Sequence, residues 1–227
     1  MSRPLNLVDL SHSISPEMPR FGPQVPPPQI TPWMSHEQAK ASGNYQGCTC
    51  EVSQVSLVTS LGTYLDSPYH FHPGKTSIEG LDIDSLVLPG VKVDCTQAQA
   101  GSAIGPEVLE GMDIKGKVVL FHTGWSRYWH SPQYFQFPFL SEATAQALCQ
   151  GGAKMAGVDF LVIDDTNDPR RPVHVTLLKA GILIVENLTN LDQLPSEGFF
   201  FSAAPVKVAK AAAFPVRAYA WWENSKG

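Results

Sequence analysis

The sequence predicts an α/β fold built on a mixed β-sheet. Two observations support this prediction: apolar, valine-rich segments typical of strands recur from residue 51 to the C-terminal FPVRAYAWWE, and only a few short helical patterns lie between them. Because the helices are too few for a regular strand–helix alternation, we expect a mixed sheet rather than a purely parallel one.

The strand predictions rest on short apolar runs bounded by turn residues. The segment 117–124 (KVVLFHTG) is a buried strand by composition, and 51–59 alternates valine with polar residues. The other predicted strands are 86–95, which we expect to be interrupted at Pro89-Gly90, then 156–165, 182–188, FFFSAAPVKVA and FPVRAYAWWE.

The helix predictions rest on capping residues. Ser141 before EATAQALCQ is a favoured N-cap, and Gly151 is a favoured stop, so a helix is expected between them. Shorter helices are expected at 105–112 and at 175–181, the second closed by Gly181.

A proline-rich segment at about 15–33 interrupts the pattern. Proline at this density excludes a helix or a central strand, so we expect an extended arm. Such an arm must bury Phe21 and Trp33 against something, either the active site or a neighbouring subunit. The sequence therefore predicts a homodimer or higher homo-oligomer with the arm at its interface.

Length and charge exclude several classes of protein. A chain of 227 residues fits a single domain spanning 1–227. The net charge of −5 and the lack of a basic run argue against nucleic-acid binding, and no segment is apolar enough to span a membrane. The N-terminus has no apolar signal region, so a cytoplasmic protein is expected. No glycine-rich nucleotide-binding loop is present.

The densest group of reactive side chains lies in SLGTYLDSPYHFH, from Ser60 to His72. Asp66, His70 and His72 follow a glycine turn, and a carboxylate with imidazoles can bind a divalent metal or exchange protons. The alternatives are a turn in which Asp66 caps backbone amides, or a Ser60–His70–Asp66 triad that lacks a nucleophile elbow.

A second group runs from His174 to Glu186. A glutamate inside the buried-looking strand ILIVENL is costly unless it is paired, hydrogen-bonded or bound to a metal. A salt bridge to Arg217 is the alternative to a functional role. Asp164 and Asp165 end a predicted strand, where both active-site residues and helix caps occur.

Seven blocks in order resemble the cyclase-type family of metal-dependent hydrolases, which includes bacterial kynurenine formamidase and isatin hydrolase. The blocks are DLSHSISPEMP, SLGTYLDSPYHF, VLFHTGWSRYW, LSEATAQAL, GGAKMAGVDF, HVTLLKAGILIVENLTNL and FPVRAYA. The second block resembles the family signature His-x-Gly-Thr-His-x-Asp-x-Pro-x-His. The resemblance implies a swivelling β/β/α fold with a mixed sheet and outer helices, and hydrolysis of amides or related cyclic groups with zinc or manganese.

The resemblance also implies a two-metal site. Two signature histidines and the signature aspartate hold one metal, and the same aspartate with the downstream histidine and glutamate holds the second. The last signature histidine assists proton transfer. Four positions of this chain match that pattern: Asp66, His70, His174 and Glu186.

Two signature positions depart from the pattern, because Ser60 and Tyr64 stand where the family has histidines. A serine hydroxyl is a poor ligand, and a phenol binds a metal well only when it is ionised, near pKa 10. We therefore expect at most one divalent metal, Zn or Mn, held by Asp66, His174 and Glu186.

Two function classes follow from this altered motif. The first is a hydrolase that cleaves an amide, lactone or cyclic imide bond in a small, aromatic-type substrate, with one metal and His70 as acid–base. The second has no metal: a cyclase, isomerase or lyase acting through His70, Asp66 and Tyr64, or a non-catalytic small-molecule-binding homologue. Metal content distinguishes the two classes.

Overall fold

The computed structural model describes residues 5–223. In chain order the strands are β1 (Leu5–Asp9), β2 (Gln29–Met34), β3 (Val52–Ser56), β4 (Tyr64–Asp66), β5 (Val87–Asp94), β6 (Ala103–Ile104), β7 (Val118–His122), β8 (Phe139–Leu140), β9 (Met155–Val158), β10 (Leu183–Glu186), β11 (Glu197–Ser202), β12 (Ala213–Pro215) and β13 (Tyr219–Glu223). The α-helices are α1 (His36–Ala41), α2 (Glu142–Gln150) and α3 (Pro172–Lys179).

Nine strands form one mixed sheet in the order β1-β13-β11-β5-β7-β9-β10-β4-β12. The four central strands, from β5 to β10, are parallel, and the flanking strands on both sides are antiparallel. The prediction of an α/β fold with a mixed sheet is therefore confirmed.

The core lies on both faces of this sheet. Along β7, Val119 and Phe121 belong to one apolar cluster, whereas Val118 and Leu120 belong to the other, as expected for alternating side chains. Buried residues of α2 and α3 extend the first cluster, so both helices lie outside the sheet on one face. No helix within residues 5–223 is long and apolar enough to cross a membrane.

The predicted helix after Ser141 is confirmed. The Ser141 side chain accepts a hydrogen bond from the amide of Thr144, and α2 ends at the cap residue Gly151. The helix predicted at 175–181 begins three residues earlier, with Pro172 in its first turn, where proline is favoured.

The predicted interruption at Pro89-Gly90 is wrong, because β5 continues through both residues. Pairing with β7 begins only at Gly90, so Pro89 is paired on the β11 side alone. Glycine fits the next position because a Cβ on Gly90 would lie 2.1 Å from the ring of Phe199. The close contact between β5 and β11 therefore requires glycine there.

The strand predicted at 156–165 is too long, because β9 ends at Val158. The Asp159 carboxylate then accepts hydrogen bonds from the backbone amides of Thr123 and Gly124. These bonds tie the two loops together, and residues 159–165 run as an irregular segment over the ends of the parallel strands.

Residues 15–28 of the proline-rich segment form no helix or strand, whereas its last residues belong to a strand. Residues 29–34 form β2, which pairs with β3 in a separate ribbon, and Pro32 is tolerated because each strand of a two-stranded ribbon has a free edge. Met18 packs into the core of its own chain, whereas Trp33 on the ribbon is 68% exposed.

Candidate active site

Strands β4 and β10 bring the two predicted groups of residues together. The strands are antiparallel neighbours, with Tyr64 opposite Glu186 and Asp66 opposite Ile184. Directly opposed residues of an antiparallel pair point to the same face of the sheet, and so do residues two apart on one strand. Tyr64, Asp66 and Glu186 therefore share one face.

Asp66 occupies the centre of the site. Its side chain is fully buried, and neither carboxylate oxygen receives a hydrogen bond from residues 5–223. Nε2 of His70 lies 3.6 Å from Oδ1, and Nε2 of His174 lies 3.7 Å from Oδ2. Both separations exceed those of an N–H···O hydrogen bond. A buried carboxylate without donors is costly, and its surroundings fit a bound cation.

His174 is held in a fixed orientation by Asp164. Nδ1 of His174 lies 2.6 Å from Oδ2 of Asp164, and the same carboxylate accepts the backbone amides of Val173 and His174 at the start of α3. Phe71 stacks on the imidazole at 4.7 Å. An Nδ1–H donated to Asp164 leaves the lone pair of Nε2 directed at Asp66, the arrangement typical of a metal-binding histidine.

The carboxylates around His174 favour a positive charge at this position. Burial alone would lower the pKa of His174, but the hydrogen bond to Asp164 and the charges of Asp66 and Glu186 outweigh it and raise the pKa to about 10. A proton or a metal ion can supply that charge.

Glu186 is fully buried and hydrogen-bonded through both oxygens. Oε1 accepts the backbone amide of Ile163 at 2.7 Å and lies 3.4 Å from Nε2 of His174. Oε2 accepts a short hydrogen bond from the Tyr64 hydroxyl. The alternative salt bridge to Arg217 is wrong, because that guanidinium pairs with Asp9 at the surface.

Burial sets the protonation of the Tyr64–Glu186 pair. Burial and the charges of Glu186 and Asp66 raise the pKa of Tyr64 well above its ordinary value, so the phenol stays neutral. Burial, partly opposed by the charge of His174, raises the pKa of Glu186 to about 7. Tyr64 is therefore a hydrogen-bond donor and not an anionic metal ligand.

The remaining predicted residues lie at the margin of the site. His70 is the exposed member of the group, on a 3-10 turn at Pro68–His70. Ser60 is half-buried and, among the described residues, forms no hydrogen bond to His70 or Asp66, so the triad alternative is not formed. His72 faces the backbone oxygen of Val175 at 2.9 Å, away from Asp66.

The sequence did not predict the network of hydrogen bonds and ring contacts around Asn187, next to the site. Asn187 follows Glu186 in a left-handed conformation; its Nδ2 donates to the carbonyl of Gly62 and its Oδ1 accepts from the Tyr134 hydroxyl. The ring of Tyr134 meets Trp129 edge-on, and Trp129 stacks on His12 at 3.8 Å. The only sequence signal for this network was an asparagine directly after the strand, because asparagine is one of the few residues that adopt the left-handed conformation readily.

Comparison with known proteins identifies the family. The model of the Cyclase family, described as "Putative cyclase", matches residues 8–165. This chain belongs to the Cyclase family. The assignment confirms the sequence-based prediction of a hydrolase of that family.

Individual relatives support the assignment over nearly the whole chain. A kynurenine formamidase from Geobacillus thermodenitrificans is 26% identical over 214 residues, which is 93% of this chain and 95% of the relative. Isatin hydrolase A from Labrenzia aggregata, solved with benzyl benzoate bound, superimposes with a TM-score of 0.85 at 22% identity, covering 97% of this chain and 94% of that one.

A third relative is described as a potential metal-dependent hydrolase with cyclase activity. It superimposes with a TM-score of 0.79 at 26% identity and covers 98% of this Cyclase-family chain and all of its own. These superpositions confirm the fold that the sequence resemblance implied.

Proposed function

We propose that this Cyclase-family protein hydrolyses an amide, lactone or cyclic imide bond in a small substrate, using one divalent metal. The observation that carries the proposal is the buried Asp66 carboxylate. It has no hydrogen-bond donor among the described residues, and it faces the Nε2 atoms of His70 and His174. Kynurenine formamidase and isatin hydrolase, both hydrolases by name, are its relatives.

The residues present fit a divalent metal. One ligand atom from each of Asp66, His70 and His174 lies within 4.8 Å of the others, and Asp164 orients His174 as a second-sphere partner. Imidazole and carboxylate donors suit zinc and manganese. When bound, such a metal polarises a carbonyl and lowers the pKa of water to about 7.

Two groups are placed to move the proton that hydrolysis requires. His70 is exposed beside Asp66, and the family resemblance implies this role for it. The Tyr64 hydroxyl, bonded to Glu186, is a second donor deeper in the site. A neutral phenol next to a carboxylate can donate to a leaving nitrogen or to a developing oxyanion.

Aromatic side chains support a flat, aromatic-type substrate. Phe71 stacks on His174 directly at the site. Trp129, Phe135 and Met18 line a cavity of about 520 Å³ between the proline-rich arm and the loop after residue 129, and the candidate metal ligands do not line it. A cavity of this size and composition accommodates a small aromatic molecule.

The Tyr64–Glu186 hydrogen bond favours a second candidate function. A phenol held by a buried carboxylate is the acid–base pair that a metal-free cyclase, isomerase or lyase needs, with His70 and Asp66 beside it. In that case the positive charge beside Asp66 is a proton on His174 rather than a metal ion. A homologue that only binds its ligand would show neither metal nor turnover.

Turnover with and without metal tests the proposal. Protein stripped with a chelator is offered aryl formamides, cyclic imides and lactones, and ring opening or deformylation is followed by absorbance. We expect hydrolysis that is lost on stripping and restored by Mn²⁺ or Zn²⁺. Turnover that survives stripping supports the metal-free alternative.

We retain the predictions of a cytoplasmic homo-oligomer that binds neither nucleic acid nor membrane.

A further inference from the structure

We infer that the third protein ligand of the metal in this chain is His70, and that Glu186 has been withdrawn from the metal by Tyr64. The inference rests on the proposed single-metal function. It replaces the ligand set expected from the sequence, Asp66, His174 and Glu186, with Asp66, His70 and His174. It therefore concerns a departure of this chain from its family.

Hydrogen-bond occupancy separates the two candidate ligands. Both oxygens of Glu186 already accept hydrogen bonds, one from the Ile163 amide and one from the Tyr64 hydroxyl. Both oxygens of Asp66 accept none from the part of the chain that the structure describes. A metal at Glu186 competes with two existing donors, whereas a metal at Asp66 supplies the partner that the carboxylate lacks.

The two histidines approach different oxygens of Asp66. The separations of 3.6 and 3.7 Å are close to the roughly 3.3–3.6 Å between two ligands of a tetrahedral metal that each lie about 2.0–2.2 Å from it. The 3.4 Å between His174 and Glu186 also meets this criterion. The ligand atoms of Asp66, His70 and His174 all lie within 4.8 Å of one another, and Glu186 does not belong to this group. The grouping and the occupancy of the oxygens therefore both favour His70.

The exchange of histidine for tyrosine explains why Glu186 is occupied. Tyr64 lies directly opposite Glu186 in the β4–β10 pair, so the phenol reaches the carboxylate across the ladder. The hydrogen bond occupies Oε2 of Glu186. The pair takes up the carboxylate that otherwise reaches the metal, and proton transfer passes from His70 to the Tyr64–Glu186 pair.

Metal affinity measured on stripped protein tests the inference. Mn²⁺ and Zn²⁺ are titrated into wild type, His70→Ala, Glu186→Gln and the control His72→Ala by calorimetry, and Co²⁺ absorption reports loss of a nitrogen ligand. We expect His70→Ala to weaken binding by more than the roughly 10–100-fold typical of outer-sphere changes, and to alter the Co²⁺ spectrum. Glu186→Gln removes a nearby charge but no ligand, so it should weaken binding less than His70→Ala does and leave the Co²⁺ spectrum unchanged. His72→Ala should leave the affinity unchanged.

The outcomes separate the inference from the function on which it rests. Since His70 is exposed, its truncation should not disturb the core, and wild-type affinity in His70→Ala would overturn the inference even if Glu186→Gln failed to fold. Loss of binding in folded Glu186→Gln, with binding kept in His70→Ala, would restore the Asp66, His174 and Glu186 set. A wild-type protein that binds neither ion would instead overturn the proposed metal-dependent function.

Discussion

Asp164→Asn tests whether an outer carboxylate sets the metal affinity of the site. Asp164 accepts three hydrogen bonds, from the backbone amides of Val173 and His174 and from Nδ1 of His174. The asparagine oxygen can keep one backbone amide, but the asparagine nitrogen cannot accept from the imidazole. If that nitrogen donates instead, the histidine proton moves to Nε2 and the lone pair no longer faces Asp66.

The size of the effect follows from these contacts. Outer-sphere changes at metal-binding histidines cost roughly 10–100-fold in affinity, which corresponds to about 1.4–2.8 kcal/mol. The metal-stripped protein also loses charge-assisted hydrogen bonds worth about 1.5–3 kcal/mol, so its free energy of unfolding should fall by a similar amount.

Calorimetric titration with Mn²⁺ and urea unfolding of the stripped protein measure the two effects. The matched control is Asp165→Asn, because within residues 5–223 that carboxylate accepts hydrogen bonds from Asn167 alone, in an exposed loop. The control should bind metal like the wild type. Equal affinities for Asp164→Asn and Asp165→Asn would refute the orienting role of Asp164.

Three further predictions concern other parts of the molecule. Burial lowers the pKa of His12 to about 4, so the neutral imidazole stabilises the fold above pH 6.5, and that contribution is lost as the pH falls towards 4. In urea unfolding, the free energy of unfolding of His12→Phe, which keeps a ring on Trp129, should fall by about 2.5 kcal/mol less than that of the wild type when the pH is lowered to 4.5. An unchanged pH dependence would contradict this. Ser60→His with Tyr64→His should restore the family pattern and raise the metal content from one to two per chain, as elemental analysis can show; a content that stays at one would mean that the backbone no longer fits the first metal. Light scattering should show a dimer or higher oligomer that Trp33→Ser weakens, because this exposed side chain lies on the β2–β3 ribbon; a monomeric wild type would contradict the predicted assembly.

The sequence was informative wherever local chemistry decides structure. Ser141 and Gly151 bound α2 because capping depends on neighbouring residues alone. The SLGTYLDSPYHF block likewise indicated Asp66, because a carboxylate close to histidines in the sequence can be recognised without knowledge of the fold. The metal-binding and catalytic roles of these residues remain predictions.

Features that depend on strand register could not be predicted. The Tyr64–Glu186 hydrogen bond exists because β4 and β10 align these residues, and no local pattern specifies that alignment. The same reason applies to Pro89, whose place in β5 depends on where pairing with β7 begins. The sequence offered Asp164 as either an active-site residue at a strand end or a helix cap. That it holds His174 became evident only from the three-dimensional arrangement.

Metal content of the purified protein, measured together with turnover, tests the central claim most directly. Elemental analysis should find about one divalent metal per chain, and a chelator should remove the metal and the hydrolytic activity together. His174→Ala should contain none, because His174 belongs to both candidate ligand sets. Two tightly held metals per wild-type chain, or hydrolysis by protein that contains no metal, would contradict the account.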